Sequence, residues 1–208
     1  MIRVKICGIN DRAARDAALA AGADWLGLVF FAASPRAVTP TQAAELAAGV
    51  TSCVGLFVAP TDDEVAAVLA AVPLTVLQVY AGADRCADLR ARFGVPVWRA
   101  VGVAGAADLP ATAEGVDGFV IEAGPPEGAT RPGGNAVALD WSILRGWRAP
   151  LPWLLAGGLT PDNVAAAIRA TAAQAVDVSS GVERTRGKKD PDLIRAFAAA
   201  ARAAAPGA

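Results

Sequence analysis

The chain has no histidine among its 208 residues, which removes every imidazole general base and with it the Ser-His-Asp and Cys-His arrangements. Acid-base chemistry therefore falls to Cys, Asp, Glu, Lys or Tyr. Cysteine is scarce as well. Cys7, Cys53 and Cys86 are odd in number, widely spaced and form no C-x-x-C pair, so they read as reduced thiols, and neither a metal nor any other cofactor is expected. No apolar run reaches the roughly 18 uninterrupted residues of a membrane span, and the first seven residues read as a strand rather than a signal peptide. A cytoplasmic location without membrane contact follows as the expectation. Charge of one sign is also lacking: 19 Lys and Arg stand against 20 Asp and Glu, too balanced for a broad nucleic-acid footprint. A small molecule is the expected partner.

Apolar residues make up 54% of the chain, and short β-branched runs alternate with Ala-rich stretches. This is the pattern of a parallel sheet covered by helices. Strands are expected at about 3–7, 25–30, 53–57, 75–79, 97–101, 118–122, 152–156 and 175–178. Eight strand-helix units predict an α/β fold of the (β/α)8 TIM-barrel type, one domain over 1–204 with a disordered tail at 205–208. Capping residues precede four helical runs: Asn10-Asp11, Thr39-Pro40, Thr61 and Thr160-Pro161-Asp162-Asn163. A helix near 104–113 is weakened by Gly105 and Pro110, and the last helix is expected at 192–204.

Such barrels place chemistry at the C-terminal ends of the strands and in the loops that follow. Those positions carry Cys7-Gly8 after strand one, Ser34-Pro35-Arg36 after strand two and Glu122 at the end of strand six. Gly157-Gly158 follows strand seven, and Ser179-Ser180-Gly181 follows strand eight. Small residues in these last two loops let backbone N–H groups approach a phosphate. Gly133-Gly134-Asn135 adds to this set from a Pro- and Gly-rich loop, 124–134, long enough to act as a lid. Lys5 shares a strand face with Cys7 and reads as an interior charge partner. Cys53 reads as core and Cys86 as helix surface.

Several segments, in order, are similar to phosphoribosylanthranilate isomerases: Lys5-Ile6-Cys7-Gly8-Ile9, Gly27-Leu28-Val29-Phe30, Ser34-Pro35-Arg36, Val54-Gly55-Leu56-Phe57-Val58, Leu77-Gln78, Leu155-Ala156-Gly157-Gly158-Leu159 and Val176-Asp177-Val178-Ser179-Ser180-Gly181-Val182-Glu183. The resemblance runs from residue 2 to about residue 197. It implies a cofactor-independent Amadori rearrangement of N-(5-phosphoribosyl)anthranilate in tryptophan biosynthesis, by a monomer or homodimer. It further implies Cys7 as base and Glu122 as acid, where the family carries aspartate. Arg36 would meet the anthranilate carboxylate, and Gly134, Asn135, Gly157, Gly158, Ser179, Ser180 and Gly181 would bind the rest of the phosphorylated substrate. Asp177 is assigned to the phosphate-side loop, although by position it rivals Glu122 as acid. The chain departs from the family at Tyr80, where a histidine is usual, and at Asn135-Ala136. Two other readings stay open on the residues: another phosphosugar isomerase or epimerase, and a catalytically impaired paralogue serving as a phosphosugar-binding or scaffold protein.

Overall fold

The computed structural model describes residues 1–124 and 139–204. Eight parallel strands form a closed barrel: β1 (Arg3–Cys7), β2 (Trp25–Val29), β3 (Cys53–Val58), β4 (Val76–Tyr80), β5 (Val97–Val103), β6 (Gly118–Ala123), β7 (Trp153–Leu155) and β8 (Ala175–Val178). Each pairs with the next, and β8 returns to β1 with Lys5 opposite Asp177. All eight expected strands are present, with ends displaced by one or two residues. They are apolar on both faces because one face lines the barrel and the other packs against helices.

The outer ring comprises α1 (Arg12–Ala20), α2 (Pro40–Ala47), α3 (Asp62–Ala71), α4 (Ala83–Phe93), α5 (Val164–Thr171) and α6 (Pro191–Ala203). Local chemistry sets where they start. Asp11 accepts from the Ala14 N–H, and Thr39 with Gln42 and Thr61 with Glu64 form reciprocal capping boxes. Asn163 caps the α5 turn differently, accepting from the Thr160 N–H and donating to the Gly158 carbonyl. At the seam, the Arg202 guanidinium of α6 donates to the Ala21 and Gly22 carbonyls after α1.

The expected helix after β5 is a single 3-10 turn, Ala106–Asp108, whose Asp108 side chain takes the Ala104 and Gly105 N–H groups. A further 3-10 turn, Trp141–Leu144, precedes β7. A small antiparallel hairpin, β9 (Glu183–Thr185) and β10 (Lys188–Lys189), follows β8 and was not foreseen. Residues 125–134 of the expected lid, with Gly133, Gly134 and Asn135, lie outside the described residues, as do 205–208.

Among the described residues two apolar cores result. The larger lies between barrel and helices; the smaller fills the barrel with Trp25, Val54, Val76, Ala100, Val120, Leu154 and Ala175. At the N-terminal end Trp25 meets Trp98 edge-on at 5.1 Å, and the Arg3 guanidinium lies 4.7 Å from the Trp25 ring. The barrel is thus plugged below, and its polar residues stand above that plug. Among the described residues no helix is long and apolar enough to cross a membrane.

Candidate active site

Inside the upper barrel, β1 turns Lys5 and Cys7 inward. Gly27 on β2 is in register with Cys7, and a Cβ there would lie 2.9 Å from the Cys7 sulfur, so only glycine leaves the thiol its place. Lys5 is fully buried. Its Nζ donates to Gln78 Oε1 at 2.8 Å and to Asp177 Oδ1 at 3.1 Å. Burial works against the Lys5 ammonium, but Asp177 and Cys7 beside it outweigh this and raise its pKa. Lys5 is thus an interior charge partner, as its place on the strand suggested. Asp177 sits within β8 rather than in the following loop, because the strand runs to Val178 and carries the carboxylate into the barrel.

Burial also pushes the Cys7 thiol up; the nearby Lys5 and Lys189 ammonium groups oppose that shift, whereas Asp177 adds to it. Across the barrel, Glu122 is buried near the end of β6 and accepts a 2.5 Å hydrogen bond from the Tyr80 hydroxyl of β4. Burial first, then the Glu122 carboxylate, hold the Tyr80 phenol well above its ordinary pKa, so it stays a donor. The longer carboxylate and the tyrosine, two departures that looked unrelated along the chain, form one pair.

Arg36 is buried after β2, with Nε 2.6 Å from Glu183 Oε1 and Nη2 2.9 Å from Oε2. Lys189, also buried, donates to the same Glu183 Oε1 at 2.8 Å and to the Ser179 carbonyl and hydroxyl. Burial opposes the Glu183 charge, but Arg36, Lys189 and the Gly187 N–H bring its pKa down to about 2. Lys189 bears the cost: burial lowers its pKa despite Glu183. Among the described residues, two of the five guanidinium N–H groups serve Glu183, and the end-on edge of Arg36 carries the other three.

The loops after β7 and β8 pack against each other. A Cβ on Gly181 would fall 1.8 Å from the Leu159 carbonyl oxygen, so glycine is required for this approach. Gly157 and Gly158 both adopt positive φ, and a Cβ on Gly157 would meet the Ala123 nitrogen and the Glu122 Cβ. Among the described residues no carbonyl accepts from the backbone N–H of Gly157, Gly158, Ser180 or Gly181. Backbone N–H groups without a carbonyl partner among the described residues are what an anion cradle uses.

The structure thus brings Cys7, Glu122, Arg36, Gly157, Gly158, Ser179, Ser180 and Gly181 to one end of the barrel. Gly134 and Asn135 lie outside the described residues. Cys53 is core, as expected, with its thiol pushed up to about 11 by burial. Cys86 is not on the helix surface: it is fully buried with Leu89, because positions three apart on α4 share the face toward the barrel. Lys189 and Gln78 were not anticipated as site residues. A clue to the first was Gly187 before Lys188-Lys189, a turn signal that folds the segment back. Among the described residues no group of three or more Cys, Asp or Glu is placed to hold a metal.

A family model described as N-(5'-phosphoribosyl)anthranilate (PRA) isomerase matches residues 4–200. A relative from Acidiphilium cryptum bearing that name is 60% identical, over 98% of this chain and 100% of its own. The solved structure of TrpF from Jonesia denitrificans is 36% identical with a TM-score of 0.84, over 98% of each chain. A phosphoribosyl anthranilate isomerase solved in complex with reduced 1-(o-carboxyphenylamino)-1-deoxyribulose 5-phosphate is 30% identical with a TM-score of 0.81, over 98% of this chain and 100% of that one.

Proposed function

The chain belongs to the N-(5'-phosphoribosyl)anthranilate isomerase family, and from that premise we propose how its residues divide the reaction, with Cys7 as base and Glu122 as acid. The enzyme is an aldose-ketose isomerase of tryptophan biosynthesis. It converts N-(5-phosphoribosyl)anthranilate to 1-(2-carboxyphenylamino)-1-deoxyribulose 5-phosphate. The observation that carries the division of roles is the placement of a thiol on β1 and a hydrogen-bonded carboxyl on β6 at the same end of the barrel.

Glu122 gives a proton to the ribose ring oxygen as the C1–O bond breaks, and the anthranilate nitrogen forms a C1 iminium. Cys7 as thiolate then takes the proton from C2. The C–H electrons become the C1–C2 double bond of an enolamine, which discharges the iminium. Protonation at C1 and loss of the C2 hydroxyl proton yield the ketone, so no external oxidant or reductant enters. Acid and base must reach the sugar from separate strands, which a barrel mouth provides.

The 5'-phosphate is held by the N–H groups of Gly157, Gly158, Ser180 and Gly181, the loops where barrels of this type often hold phosphate. Arg36 offers its end-on edge to the anthranilate carboxylate while Glu183 fixes the other edge. No cofactor takes part. The test is a fluorescence assay of freshly generated phosphoribosylanthranilate. Cys7→Ala and Glu122→Gln are each expected to lower kcat by about 100-fold or more, the scale of losing a positioned base or acid. Wild-type turnover in either variant would remove that residue from the chemistry, and Asp177 would be the next acid to test.

A further inference from the structure

We propose that Lys5 is a positioning residue for the base: its buried ammonium is the counter-charge that lets Cys7 act as a thiolate, with Lys189 reinforcing it and Asp177 opposing it. The inference rests on the reading of Cys7 as base and extends it. A thiol removed from water is held in its neutral, unreactive form unless a cation stands beside it. Lys5 lies two residues before Cys7 on the same face of β1, fully buried. Two of its three N–H groups go to Gln78 and Asp177, and the third is left for the sulfur.

Gln78 shows that the ammonium has priority. It turns its carbonyl oxygen to Lys5, and its own buried Nε2 has no partner among the described residues. A buried amide accepts that loss only where a charged donor compensates.

The other groups facing Cys7 fit the same account. Lys189 of the hairpin adds positive charge, Asp177 of β8 adds negative charge, Gly27 of β2 adds none, and Tyr80 of β4 is a neutral donor to Glu122. Among the described residues, the ion pairs around this site join Lys5 to Asp177, and Arg36 and Lys189 to Glu183.

The experiment is a titration of the substrate-free protein, reading thiolate absorbance near 240 nm as a difference from Cys7→Ala, with circular dichroism to verify folding. Lys5→Met keeps the length of the side chain and is expected to raise the Cys7 midpoint by about one pH unit or more, a roughly tenfold loss of thiolate at lower pH. Lys189→Met is expected to raise it by less, and Asp177→Asn to lower it. Opposite shifts distinguish a charge effect from loosened packing, which has no reason to follow the sign of the charge removed. An unchanged midpoint in folded Lys5→Met, or an upward shift in Asp177→Asn, overturns the proposal; if Lys5→Met fails to fold, the Asp177→Asn direction decides. Failure of the base assignment is separate, because it appears as turnover in Cys7→Ala whatever the titration shows.

Discussion

Tyr80 and Glu122 lie on strands that are not neighbours, β4 and β6, yet their side chains meet past the intervening β5. The contact fixes where the acid can reach. Tyr80→Phe keeps the ring and removes the donor, so kcat is expected to fall by about tenfold with KM little changed, the signature of an interaction used mainly in the transition state. Glu122→Asp withdraws the carboxyl by roughly an ångström and breaks the same hydrogen bond, a displacement large enough to cost about 100-fold. If one contact underlies both losses, the double variant is no worse than Glu122→Asp alone. Independent, multiplying losses would show that Tyr80 acts elsewhere. Only part of this was legible in the chain. Glu122 and Tyr80 each stood out against the family pattern, but residues 42 apart carry no sign that they touch.

At the scale of elements, the two terminal loops depend on a single atom's absence. Gly181→Ala would place a methyl on the Leu159 carbonyl, so the loops must separate and their N–H groups with them. We expect KM to rise by about tenfold or more and phosphate to lose its power as a competitive inhibitor, while the Cys7 titration stays in place. Unchanged KM and phosphate inhibition would remove these loops from the phosphate site. The strands that bear the loops could be read from sequence because burial on both faces leaves continuous apolar runs. The hairpin of Glu183–Thr185 and Lys188–Lys189 could not, since its charged, three- and two-residue strands have no apolar period. Cys86 shows the converse error: a helix carrying five charged residues still buries one stripe, and the stripe, not the composition, decides.

For the whole molecule, the cluster of Arg36, Glu183 and Lys189 ties the loop after β2 to the segment after β8 across the closing seam of the barrel. Its acid sensitivity can be assigned a sign. Glu183 has its pKa lowered from 4.5 to about 2, so the unfolded chain binds the proton first as pH falls. The stability it supplies is complete above about pH 4.5 and is lost between about 4.5 and 2. The size is at most on the order of 3 kcal/mol, reduced by the burial of Lys189. Glu183→Gln cannot titrate, and it leaves two buried cations without their shared anion. Its deficit against the wild type is therefore expected to be largest near neutrality and to shrink steadily below pH 4.5, as the carboxylate of the unfolded wild-type chain takes up its proton. Urea midpoints measured for both proteins from pH 7 to 2.5 read this directly. A gap that stays constant over that range would mean that Glu183 stabilises the seam by packing alone, and the acid lability of the fold would then have to reside in other carboxylates.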